Sequence, residues 1–197
     1  MTDISPRKIS GEWSSGYALD IHTISSEFVG YNSYGHAEFN TKYSDVGKLL
    51  HDYKYGGDRK ALEPLAKTAS KFILDKKFEI DLIIPVPPSR KARLTQPVVE
   101  LAKRISEIVE IPVCLDCIQK VKDTEELKGV PTYAQRIKIL KDVFSAKIEL
   151  IRGRKILLVD DLYRSGATLD ELSRILCKQG GAEKVMLLTM TRTRSLS

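Results

Sequence analysis

The sequence predicts an α/β fold, a mostly parallel central sheet flanked by helices, with a small β-rich hood at the N-terminus. Three observations predict it. Short apolar runs at residues 80–86, 156–159 and 184–190 have the length and continuity of strands buried on both faces. Between them lie amphipathic stretches with helical spacing. In the second half the order is strand, loop, helix, strand, which implies right-handed βαβ units and a parallel sheet.

The elements follow in order. Residues 1–43 read as an N-terminal β-rich hood or arm, and residues 44–197 as the α/β domain. The first part contains β-formers interrupted by the turn VGYNSYG, which suits one or two antiparallel strands. SDVGKLLHDYKYGGD is helical, with Val46, Leu49, Leu50 and Tyr53 on one face and Gly56-Gly57 ending it. Leu62, Leu65, Ala66, Ala69 and Ile73 define a second helix over 61–74, and 98–109 a third. Residues 113–121 read as a strand and 122–131 as a mobile loop. Thr132 with Gln135 forms a capping box opening a helix to Leu140, and Thr168 with Glu171 forms another, closed by Gly180-Gly181.

Composition narrows the class. The 197 residues are 42% hydrophobic, enough for a core, and carry a net charge of +6. No apolar run is long enough to span a bilayer, and the N-terminus has no signal-type stretch, so a soluble cytoplasmic protein is expected. The basic balance suits an anionic partner, a phosphorylated small molecule or nucleic acid. The three cysteines, Cys114, Cys117 and Cys177, argue against a disulfide framework and for a reducing compartment. Cys114-x-x-Cys117 has no second pair to complete a zinc site and reads as small side chains beside a strand. His22, His36 and His51 lack metal-ligand spacing and read as ordinary hydrogen-bonded histidines.

The chemistry gathers at the ends of two strands, in PVPPSRKAR and DDLYRSGAT, where ligands of parallel sheets bind. Asp160 and Asp161 close an apolar run, and a buried unpaired carboxylate is costly, so both are expected to emerge into a site. Carboxylates accept hydrogen bonds from vicinal sugar hydroxyls. Ser165, Gly166, Ala167 and Thr168 then precede a helix, and small residues at a helix N-terminus bring backbone N–H groups close to an anion. Hydroxyl acceptors followed by a phosphate cradle describe a ribose 5-phosphate site. No P-loop and no G-x-G-x-x-G is present. A response-regulator receiver would need a later aspartate, and none follows Asp170.

ILLVDDLYRSGAT resembles the phosphoribosyl-diphosphate (PRPP) motif of type I phosphoribosyltransferases. LIIPVPPSRKARLTQPVVELAKRI, HDYKYGGDRKALEPLA and KDTEELKGVPTYAQRIKILKDVF are similar to segments of the ComF-like, competence-associated group, covering most of residues 46–192. The resemblance implies that Asp160 and Asp161 hold the ribose hydroxyls and carry catalysis, with Leu162, Tyr163, Arg164, Ser165, Gly166, Ala167 and Thr168 completing the PRPP site. It implies a pyrophosphate loop of Pro87, Pro88, Ser89, Arg90 and Lys91, Mg²⁺ bound with PRPP, and a lid at 122–131. The implied reaction is displacement of pyrophosphate by a nitrogen acceptor.

The chain departs from the pattern in three ways. It lacks the group's N-terminal cysteine zinc module. It has Arg164 where hypoxanthine-type enzymes place a carboxylate base. It carries RLTQ in place of a longer R-G-F-N-Q segment, which leaves the acceptor pocket unassigned. The alternative is a PRPP-sensing or catalytically silent protein acting with DNA or a protein partner. A homodimer is the family-based expectation. Lys54, Lys128 and Arg136 read as surface or lid residues, and Trp13 as packed on the domain or marking a contact patch.

Overall fold

The computed structural model describes residues 2–88, 96–124 and 127–194. Nine strands and six α-helices are found among them. The strands are β1 (Arg7–Lys8), β2 (Ser15–Ile21), β3 (Thr23–Tyr31), β4 (Ala37–Tyr43), β5 (Leu82–Pro85), β6 (Ile118–Lys120), β7 (Phe144–Ala146), β8 (Lys155–Tyr163) and β9 (Lys184–Arg192). The helices are α1 (Asp45–Lys54), α2 (Leu62–Asp75), α3 (Pro97–Val109), α4 (Tyr133–Leu140), α5 (Ile148–Ile151) and α6 (Ala167–Lys178).

The central sheet has the order β1-β2-β9-β8-β5. Its pairings β2–β9, β9–β8 and β8–β5 are parallel, and β1 alone runs antiparallel. The expected mostly parallel sheet is therefore present. Its strands alternate cleanly between two apolar cores, as a pleated strand covered on both faces must. Ile156 and Leu158 of β8, with Val185 and Leu187 of β9, pack with α6 and the β6–β7 pair. Leu157 and Val159, with Met186 and Leu188, pack with α1, α2 and α3.

The N-terminal region divides. Residues 15–21, expected within the hood, form a strand of the central sheet, in register with 186–192 of β9. The hairpin β3–β4 is a separate two-stranded sheet. The solvent-exposed turn letters marked the hairpin, but they could not show that the preceding strand crosses to a partner some 170 residues away.

Two other expectations are corrected. Cys114 and Cys117 are not separate small side chains: they form a disulfide, their Cα atoms 5.6 Å apart, within bonding range. The bridge divides the expected strand over 113–121. Val113 pairs with Ile83, while β6 turns away to pair antiparallel with β7. Cys177 remains a free thiol. The second correction concerns α6. Its N-cap is Gly166, in the left-handed region at φ 79°, with no side-chain cap, rather than Thr168. Glu171 instead lies buried against Arg174, 2.6 Å away. The Thr132–Gln135 capping box does form at the start of α4. No helix among the described residues is long and apolar enough to cross a membrane.

Candidate functional site

β8 runs on through both carboxylates to Tyr163 instead of ending before them. Side chains of successive strand residues point to opposite faces. Asp160 therefore falls on the α6 side and Asp161 on the α1 side. Both are half-buried.

On the α6 side is a cavity of about 360 Å³. Asp160, Leu162 and Arg164 line it, with Ser165, Gly166, Ala167 and Thr168. Pro87 and Pro88, Lys120, Thr124, Leu127 and Arg136 complete its walls. The turn into α6 is built on Gly166. An added Cβ there would meet the Tyr163 ring at 3.0–3.3 Å as well as straining a positive φ. Because no side chain caps this helix, its first-turn N–H groups face outward as anion donors, reinforced by the helix dipole.

Desolvation, and then the charge of Asp161, hold the Asp160 carboxyl well above the ordinary carboxylate range. The Asp161 N–H donates to Asp160 Oδ1 at 2.8 Å. Thr189, in register beside Asp160, is fully buried, and its hydroxyl has no hydrogen-bond partner among the described residues.

On the other face, Asp161 Oδ2 accepts from Lys54 Nζ at 2.5 Å, and both side chains are about 15% exposed (15% and 16%). Lys54 is thus no surface residue. Thr191 donates to the Asp161 carbonyl and is 3.1 Å from His22 Nδ1. Burial, and next the charge of Lys54, keep the His22 imidazole below its ordinary value, and therefore neutral at pH 7. A ladder of rings, His22–Tyr43–His51–Tyr55, with centroids 4.8–5.6 Å apart, ties the hairpin to α1.

A third feature lies behind the cavity. Asp170, 8% exposed in the first turn of α6, accepts from Glu12 N–H and from the Tyr133 hydroxyl, each at 2.7 Å. It joins the N-terminal arm, the helix after the expected lid, and the helix of the cradle. The indole of Trp13 is buried and meets the Tyr163 ring edge-on at 6.4 Å, so Trp13 packs on the domain.

Most of the motif is thus brought to one cavity: Asp160, Leu162, and 164–168, together with Pro87 and Pro88. Tyr163 supports the turn from behind. Asp161 is turned away from the cavity. Ser89, Arg90 and Lys91 lie outside the described residues, as does the side chain of Lys128. Arg136 lines the cavity, its Nε donating to the Val130 carbonyl at 2.9 Å. Sequence reasoning missed the placements of Lys54, Asp170 and Thr189. The KYGGD segment around Lys54 was the available signal. Among the described residues, no three His, Cys, Asp or Glu side chains are grouped to hold a metal. Magnesium commonly takes one or two carboxylates and draws its remaining ligands from water and substrate phosphates. Asp160 is a carboxylate of the kind such an ion takes.

Sheet order, helices on both faces and a strand handing on to an uncapped helix make this the fold of a type I phosphoribosyltransferase. The chain belongs to the phosphoribosyl transferase domain family, whose pattern matches residues 58–195. Its ComF-like character is seen in two relatives. Competence protein ComFC of Bacillus subtilis is 29% identical over 156 residues, covering 77% of this chain and 62% of the relative. Competence protein F of Haemophilus influenzae is 32% identical over 85 residues, covering 42% of this chain and 37% of the relative. The chain therefore spans less than two thirds of the length of either. Among solved structures, adenine phosphoribosyltransferase from Leishmania tarentolae superposes with TM-score 0.50 at 12% identity, covering 95% of this chain and 94% of that one. The Trypanosoma brucei enzyme, in complex with AMP, pyrophosphate and ribose-5-phosphate, gives 0.51 at 11% identity, covering 94% and 73%. At these identities the likeness concerns the fold alone.

Proposed function

We propose that the protein binds PRPP and transfers its phosphoribosyl group to a nitrogen acceptor. The observation that carries this reading is the single cavity in which a strand-end carboxylate, Asp160, stands beside the uncapped N-terminus of α6. The two are separated by the last residues of β8 and the short Arg164-Ser165-Gly166 turn.

In this reading the first-turn N–H groups of α6, with Ser165 and Thr168, hold the 5-phosphate. Asp160 accepts from a ribose hydroxyl. Lys120, Arg136 and Arg164 give the remaining wall a positive potential that matches a diphosphate. Pro87 and Pro88 fix the wall where the diphosphate loop leaves β5. Asp160 is the residue that would hold Mg²⁺, and the ion would supply neutralising charge for the leaving diphosphate. The acceptor nitrogen forms a bond to the anomeric carbon as the carbon–oxygen bond to diphosphate breaks. The electron pair leaves on diphosphate, and the proton released by the nitrogen passes to solvent or to the departing phosphate. The protein's contribution is to orient the sugar, neutralise charge and exclude water.

Calorimetric titration with Mg²⁺-PRPP tests the reading. Saturable one-site binding is expected, followed by acceptor-dependent pyrophosphate release. Absence of PRPP binding would sink it. A second reading, a PRPP-responsive protein acting with DNA, is favoured by the competence proteins among its relatives and by the net charge of +6. It requires salt-sensitive DNA binding that PRPP alters. A homodimer is part of either proposal, and sedimentation would measure it.

A further inference from the structure

Lys54 stands at the last turn of α1, 107 residues from its partner, and its ammonium meets Asp161 Oδ2 at 2.5 Å. The surface pair Lys48–Asp52 on the same helix shows what an ordinary contact looks like: its lysine is 61% exposed, against 15% for Lys54. The protein supplies a partner to one oxygen of each carboxylate. Asp160 Oδ1 takes the Asp161 N–H, and Asp161 Oδ2 takes Lys54. The pleat puts Asp161 on the α1 face, where Lys54 neutralises it, while Asp160 faces the cavity. Two adjacent carboxylates without a cation would repel each other and draw one in. Here the chain provides the cation itself, from an element outside the strand-loop-helix motif.

We infer that Lys54 is a positioning residue of the sugar site. It neutralises Asp161 on the α1 face, where the pleat places it, and so lowers the negative charge beside Asp160, which is left to meet a sugar hydroxyl. This rests on the sugar-phosphate reading of the cavity, and it goes beyond that reading by assigning α1 a part in it. It also predicts something a merely structural ion pair does not. Removing a partner from a part-buried pair leaves an uncompensated carboxylate. Asp161 should then gain affinity for a free divalent ion.

The test compares wild type, Lys54→Met and Lys54→Arg, with Lys54→Gln as a control that keeps a polar tip in case Lys54→Met folds poorly. Mn²⁺ binding to the unliganded protein is followed by water-proton relaxation. Mg²⁺-PRPP binding is followed by the fluorescence of Trp13, the one tryptophan, packed against Tyr163. Lys54→Met and Lys54→Gln are expected to bind PRPP at least tenfold more weakly, and Lys54→Arg within threefold of wild type. Lys54→Met should bind Mn²⁺ at least fivefold more tightly than wild type, a gain that Lys54→Met/Asp161→Asn loses. Unchanged PRPP affinity in Lys54→Met, or unchanged Mn²⁺ affinity, overturns the inference. If wild type binds no PRPP, the sugar-phosphate reading falls by itself, and the Mn²⁺ comparison still decides whether Lys54 is the resident cation.

Discussion

The two faces of β8 at its carboxyl end are built in opposite ways. On the cavity face the carboxylate and cradle are local: Asp160 and residues 164–168 come from nine consecutive positions, shaped by one glycine and one helix start, and only the far walls come from elsewhere in the chain. The opposite face is assembled from Lys54, His22, Thr191 and Asp161, which meet only after the whole sheet has formed. The first needs a short sequence to be right; the second needs the fold to be right. The same adjacent pair of aspartates serves both, because a pleated strand must send neighbours to opposite sides. A motif that reads as two equivalent acids is, in the folded chain, one acid for the cavity and one for the scaffold.

The largest expected effect separates those roles. Asp160→Asn/Asp161→Asn should lose at least a hundredfold in PRPP affinity by calorimetry, about 2.7 kcal/mol. Asp160→Asn alone should account for most of it, and Asp161→Asn for about tenfold, exerted through Lys54. Equal losses from the two single variants would break the distinction between the faces.

Next comes the scaffold behind the cavity. Asp170→Ala strands the Glu12 N–H and the Tyr133 hydroxyl in a part-buried setting. A cost of about 2 kcal/mol in unfolding free energy is expected, read from urea titration. The N-terminal arm should also become cleavable by trypsin in the native protein. Gly166→Ala is milder. It places a Cβ 3.0 Å from Tyr163 Oη and imposes left-handed strain of about 1 kcal/mol. Its effect should fall on PRPP affinity more than on the melting temperature, since the turn it distorts is the cradle itself.

What was legible in the sequence follows the same division. Strand periodicity, the Thr132 capping box and the DDLYRSGAT loop are local, and each was readable because its physics involves neighbours in the chain. The Thr168–Glu171 pair has the letters of a capping box, yet Gly166 reaches the left-handed conformation that starts α6 earlier, and Glu171 turns inward to Arg174. Spacing cannot tell a cap from a cradle when both want small polar residues before a helix. The Lys54–Asp161 pair and the insertion of β2 beside β9 depend on partners more than a hundred residues apart. No window over the sequence contains them. The disulfide was misjudged for a related reason: a cysteine count argues about compartments, while Cys114 and Cys117 are brought together by the turn between the Val113 bridge and β6.

The smallest effect concerns pH and tests the scaffold face alone. His22 is held below its ordinary value of 6.5 by burial first and then by the charge of Lys54. Unfolded chains bind a proton at this histidine more readily than the folded protein does. Its contribution to stability is therefore full above about pH 6.5 and is lost as pH falls through the lowered folded value. His22→Asn keeps a polar group toward Thr191 but cannot titrate. Melting curves from pH 8 to pH 5 should show the wild type losing more stability than the variant. In Lys54→Met the same difference should shrink, because one of the charges that disfavour imidazolium has gone. A difference that persists undiminished would mean that desolvation alone sets this histidine. Lys54 would then act on Asp161 without reaching across to the hairpin side.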